Sequence, residues 1–87
     1  MDELRESLIA RLKRIEGQAR GIQRMIEEKR SCDEIIVQLA AIKAAIDQVA
    51  VNILGHHMAE CIEKNLAQGR DVQDAIAEFM PIFRKLS

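Results

Sequence analysis

Leu8, Leu12, Ile15, Ala19, Ile22 and Ile26 follow one another at spacings of 4, 3, 4, 3 and 4. Only a helix places such a series on one face, and the pattern predicts a first helix from about Glu3 to about Lys29. Gly17 and Gly21 fall inside it. Each weakens a helix by about 1 kcal/mol relative to Ala, which points to a neighbour approaching closely at those positions. Ile35, Leu39, Ile42, Ile46, Val49 and Ile53 repeat the same spacing, and nothing interrupts that second seam before Gln68 and Gly69. Ser31 suits the cap at its start, with Glu34 three residues on and acids in the first turn. The resulting helix, about 30 residues long, would extend about 50 Å, far more than a monomer of this size needs, so it is expected to find a partner along its length. Gly69 suits the position just past that helix, and Asp71 suits the cap of a third, shorter one with Val72, Ala75, Ile76, Phe79 and Phe83 inward. Pro81 removes a backbone donor and is expected to kink or end the third helix near Met80.

These elements define an all-α protomer of three helices, the first two forming an antiparallel hairpin across a short connection. The chain has 87 residues with aromatics at 2%, enough for one domain, residues 1–87, but too little bulk for a lone core to succeed easily. An oligomer is therefore expected. No stretch approaches the roughly 18 uncharged apolar residues of a membrane span, and the acidic start Met1-Asp2-Glu3 lacks the basic region of a secretory signal. The expectation is a soluble cytoplasmic protein with no membrane partner.

Charge changes the picture more than the net value of −1 suggests. Residues 5 to 30 carry eight bases against four acids, whereas residues 31 to 87 carry five against eight. Residues 5 to 30 thus bear a local surplus of +4, the kind of basic stripe that matters for nucleic acid whatever the whole-chain balance. Were the stripe to bind DNA, Arg11, Arg14, Arg20 and Arg24 would be the leading candidates, since guanidinium groups match phosphate bidentately, with Lys43 supporting from the second helix. No helix-turn-helix or aromatic stacking platform is visible. A stripe of this kind is often only a solvated face.

Cys32, His57 and Cys61 carry the candidate chemistry. His57 and Cys61 are four apart, so their side chains share one helical face and can share a metal ion; the pair alone is a weak signal that a packed thiol beside a surface imidazole explains better. Cys32 lies 25 residues before His57 on the same expected helix, about 38 Å away, so one chain cannot gather all three. Two chains can. If the second helix packs antiparallel against its twin, Cys32 of one protomer meets His57 and Cys61 of the other, with the two-fold axis between Ala45 and Ile46. Ala40, Ala41, Ala44 and Ala45 cluster there, and small residues permit a close crossing.

Two thiolates and one imidazole form a soft donor set matched to Cu(I) in trigonal geometry; Zn(II) would want a fourth donor, and Ni(II) is a further alternative. His56 projects about 100° away from His57 and reads as a surface or neighbouring group rather than a ligand. The thiols also permit a disulfide or polysulfide link between Cys32 and Cys61 of opposite chains, and Cys32 at a helix N-terminus should be more reactive than a free cysteine. A copper chaperone or storage protein would use the same ligands with an incidental basic stripe. Nothing resembles an oxyanion hole or a substrate pocket, so an enzyme is not expected.

The runs Arg11-Leu12-Lys13-Arg14-Ile15-Glu16-Gly17-Gln18 and Gly21-Ile22-Gln23-Arg24-Met25-Ile26-Glu27, with Cys32, Gln38-Leu39-Ala40-Ala41-Ile42, His57 and Cys61, make the chain resemble, over nearly its whole length, the copper-sensitive operon repressor family. That family also includes nickel/cobalt, formaldehyde and persulfide sensors. The resemblance implies an all-helical dimer that pairs into a homotetramer, binds operator DNA when ligand-free and releases it when the inducer binds. It also implies the Cys-His-Cys pattern of the Cu(I) sensors, one ion per protomer, at Cys32, His57 and Cys61. In those sensors a tyrosine before the first cysteine and a glutamate of the third helix link to the metal-bound histidine. Ser31 stands at the tyrosine position here, and Glu78 takes the glutamate role.

Overall fold

The structure is a computed structural model that describes residues 2–86, so the two end residues of the expected 1–87 domain lie outside it. Three helices follow in order: α1 (Asp2–Glu27), α2 (Cys32–Ala67) and α3 (Val72–Leu86). No strand occurs among the described residues. At 36 residues α2 is longer than its apolar pattern indicated. None of the helices is long and apolar enough to cross a membrane.

Both connections are built alike. Arg30 N–H donates to Met25 O at 3.0 Å and Lys29 N–H to Ile26 O at 3.1 Å, closing the end of α1. Arg70 N–H donates to Asn65 O at 2.8 Å and Gly69 N–H to Leu66 O at 3.1 Å, closing the end of α2 in the same way. This paired closure requires a left-handed residue just past the helix, which is Lys29 (φ 58°) in one case and Gly69 (φ 77°) in the other. Each new helix is then capped from the fourth connecting residue. The Glu34 N–H donates to Ser31 Oγ at 3.2 Å, and the Asp74 N–H to Asp71 Oδ1 at 3.1 Å, while Asp74 Oδ2 accepts in return from the Asp71 N–H at 3.2 Å.

The described residues fall into two compact units, one up to Val49 and the other from Ala50. In the first, α1 and the leading half of α2 form the hairpin, and Leu8, Ile22 and Val49 are buried. Each apolar seam divides between two fates. Every seventh position, Leu8, Ile15 and Ile22 on α1 and Ile35, Ile42 and Val49 on α2, is buried or half-buried. The alternate positions Leu12, Ile26, Leu39, Ile46 and Ile53 stay 43 to 58% exposed, contrary to a seam buried along its whole length. A two-helix contact covers a narrower stripe than the seam is wide, so half of it remains uncovered in the protomer. Among the described residues nothing approaches Gly17 or Gly21: a Cβ at either would meet open space, so the expected close neighbour is not found there.

In the second unit, Cys61, Ala75 and Phe79 form the core, with Leu54, Met58, Ile62 and Met80 against them. Val72, Ile76 and Phe83, expected inward, are exposed instead, because only the Ala75 and Phe79 flank of α3 is covered. Pro81 does not end α3, which continues to Leu86. The proline lies on an exposed stretch, where water can satisfy the carbonyl whose donor it removes. Phe79 and Phe83 also meet across it, with ring centroids 6.0 Å apart.

Candidate metal centre

His57 and Cys61 face one another on α2, with Nε2 3.7 Å from Sγ. Bonds of about 2.3 Å to sulfur and about 2.0 Å to nitrogen, at a trigonal or tetrahedral angle, place two ligands of one ion about 3.5 to 3.8 Å apart. The separation of the pair therefore suits two ligands of one soft metal ion. It opens on a small cleft of about 190 Å³ lined also by Glu60, Lys64 and Glu78. The ring of His57 is further held by Phe79, with centroids 5.9 Å apart.

Cys61 is only 2% exposed, and burial is the main reason its thiol is pushed above the usual range; Glu78 and Glu60 add to the shift and Lys64 opposes it. Glu78 is shifted the other way. Hydrogen bonds from Lys64 and Asn65 hold its carboxyl below the ordinary range, partial burial opposes them, and the charges of Lys64 and His57 assist. Glu78 Oε1 pairs with Lys64, and Glu78 Oε2 accepts from Asn65 Nδ2 at 2.9 Å. The same Asn65 nitrogen donates to the Cys61 carbonyl at 2.7 Å.

Two of the three sequence-derived ligands thus meet, and Glu78 lines the same cleft. Cys32 does not join them: it is the first residue of α2, exposed, in the other unit. Among the described residues no group of three or more His, Cys, Asp or Glu side chains is gathered to hold a metal. Ser31 caps α2 beside Cys32. His56 pairs instead with Glu60, Nε2 to Oε1 at 3.3 Å, in keeping with a surface role. Asn65 is a site residue that the ligand pattern alone does not single out. Its signal lies in the spacing, since His57, Cys61 and Asn65 succeed one another at intervals of four, and an amide on that otherwise apolar face calls for buried partners.

Of the basic residues, Arg11 and Arg14 share a larger cleft of about 740 Å³ in the first unit with Gln18, Ala45 and Gln48, among others. Arg20 and Arg24 are exposed, and no salt bridge engages any of the four arginines among the described residues. Lys43 is engaged, with Nζ 3.3 Å from Asp47 Oδ2.

Fold and side chains together define an all-helical protein with a facing His57 and Cys61 on its longest helix. The family model described as metal-sensitive transcriptional repressor matches residues 4–85, and the chain belongs to that family. It is 41% identical over 83 residues to the copper-sensing transcriptional repressor CsoR of Bacillus subtilis (strain 168), a match that covers 95% of this chain and 81% of the relative. Among solved structures it is similar to the nickel-responsive transcriptional regulator InrS, with 39% identity, a TM-score of 0.85 and coverage of 94% of this chain and 91% of that one. It is also similar to the copper-sensing repressor CsoR with Cu(I) from Geobacillus thermodenitrificans NG80-2, with 38% identity, a TM-score of 0.82 and coverage of 99% and 88%.

Proposed function

We propose that this chain is a cytoplasmic Cu(I)-responsive repressor, acting over residues 1–87 as one metal-sensing, DNA-binding domain. The observation that carries this reading is the His57 Nε2 to Cys61 Sγ separation of 3.7 Å, which suits a shared soft ion. Cys32 of a partner protomer supplies the third ligand across an antiparallel α2 dimer, and two dimers form the tetramer. The exposed halves of both apolar seams support that assembly, because Leu12, Ile26, Leu39, Ile46 and Ile53 are large apolar side chains that a partner helix would cover.

Bound Cu(I) supplies a soft cation that joins the two chains. Cys61 gives its thiol proton to solvent as it becomes a ligand, His57 donates from the neutral imidazole, and Phe79 keeps that ring in place. Ser31 fixes the turn that presents Cys32, and Glu78 lies beside the histidine. Arg11, Arg14, Arg20 and Arg24, with Lys43, meet operator phosphates in the metal-free state. Metal binding repacks α2 and α3 so that the basic stripes no longer match the duplex, which requires copper to bind the DNA-free state more tightly.

The deciding experiment is anisotropy of the reduced protein on the DNA upstream of its own gene, titrated anaerobically with Cu(I), Ni(II) and inorganic polysulfide in separate arms. Release by one Cu(I) per protomer with unmodified thiols is expected. Release by Ni(II) alone would make the chain a nickel sensor, and release only by polysulfide, with a Cys32 to Cys61 link between chains, would make it a sulfur sensor.

A further inference from the structure

Asn65 is the one buried polar residue among the described residues, at 1% exposure. Its carboxamide lies between two groups that can only accept, the Cys61 carbonyl at 2.7 Å and Glu78 Oε2 at 2.9 Å. That surrounding fixes the amide's orientation, with the NH2 toward both acceptors and each of its protons used. An amide is costly to bury, and an apolar residue at this point of α2 would avoid the cost. What the amide adds is a connection from the peptide of Cys61 to a carboxylate on α3.

We infer that Asn65 is the positioning residue that carries metal occupancy from Cys61 to α3. The inference rests on the proposed function, because it needs Cys61 to be a ligand. When the Cys61 side chain moves to meet a metal, its peptide moves with it, and the carbonyl held by Asn65 belongs to that peptide. The second hydrogen bond passes the displacement to Glu78, whose other oxygen is held by Lys64. A short link whose donor nitrogen is buried transmits small shifts because that donor has no water to turn to. Glu78 is then held by two residues of α2, Lys64 and Asn65, and of these it is Asn65 whose side chain also bonds the Cys61 carbonyl.

The test uses the full-length protein and Cu(I) as the probe, comparing the wild type with Asn65→Leu, Asn65→Asp and the double variant Asn65→Leu/Glu78→Ala. Leucine fills the space without donors, and aspartate keeps the shape but offers at most one donor, and that only when protonated, where the amide offers two. Each folded single variant is expected to bind Cu(I) without DNA, and operator without Cu(I), within about threefold of the wild type. The factor by which Cu(I) weakens operator binding is expected to fall at least about tenfold. The double variant should lose no more coupling than Asn65→Leu alone, since both changes cut one connection. Where Asn65→Leu does not keep its helical circular dichroism, the isosteric aspartate carries the comparison. An unchanged copper effect in either folded single variant, or a further loss in the double variant, overturns this inference alone. A wild type that ignores Cu(I) overturns it together with the proposed function.

Discussion

Sγ of Cys61 lies 3.7 Å from Nε2 of His57, one helical turn earlier on α2. The contact sets two ligand atoms at the separation one ion demands, so removing either should be felt as lost affinity rather than lost fold. Cys61→Ala is expected to weaken Cu(I) binding by more than about a hundredfold, beyond what removal of a mere outer partner costs, and to abolish operator release. Competition against a chromophoric Cu(I) chelator measures it; wild-type affinity would place the metal elsewhere. Because burial keeps this thiol protonated, the apparent affinity of the intact protein should rise with pH until the raised thiol value is passed.

Acid should loosen the attachment of α3. The carboxyl of Glu78 is held below the ordinary range, chiefly by hydrogen bonds from Lys64 and Asn65. A depressed carboxylate contributes stability that is present above its unfolded value and lost as pH falls through the folded one. Urea midpoints should therefore decline from the ordinary glutamate range downward, and Glu78→Gln should flatten that part of the profile. A wild type and variant with parallel profiles would show that the ion pair carries no linkage.

Lys29 adopts φ 58° where the corresponding turn after α2 uses glycine. A side chain in that conformation costs about 1 kcal/mol, partly regained because glycine loses more freedom on folding. Lys29→Gly is expected to raise stability by about 0.5 kcal/mol. Thermal unfolding at fixed protein concentration reads the sign, and a lower midpoint would mean that the lysine side chain has a compensating contact.

Ile46 is 48% exposed and lies beside the proposed two-fold axis. Ile46→Glu would set two carboxylates against each other at the crossing of the α2 helices, and a like-charge contact in an apolar interface is strongly unfavourable. Sedimentation should then find the protomer mass in place of the oligomer. An unaltered oligomer would show that the helices meet through another face.

Arg14 stands in the 740 Å³ cleft with Arg11 and has no acidic partner among the described residues. If each protomer places it on a phosphate, Arg14→Ala should weaken operator and unrelated DNA alike and reduce the salt slope by about 1 for every phosphate left unneutralised. A weakening confined to the operator would make Arg14 a reader of bases.

Periodicity carried most of the fold. The seams at 8 to 26 and 35 to 53 located two helices, and Ser31, Gly69 and Asp71 marked their ends as the hydrogen bonds do. What the pattern could not resolve was which half of each seam is covered within one chain, because Leu12 and Leu8 look alike in a series of apolar spacings. The left-handed Lys29 was equally hidden, since lysine is not a residue that announces such a turn. Spacing brought His57 and Cys61 together correctly. Asn65 stayed out of view, because an amide is no soft-metal ligand and its partners, the Cys61 carbonyl and Glu78, appear only in the folded chain.

The two inter-helix connections have the same length, residues 28–31 and 68–71, with the left-handed residue second and the cap fourth in each. In both, the residue after the turn closes the outgoing helix with its N–H and leads directly into the cap of the next, so there is no slack position. A single inserted residue would have to break either the closure or the cap. Length variation, peptide tags and fusion junctions placed at these corners should be poorly tolerated, and both corners offer proteases little extended backbone to grip.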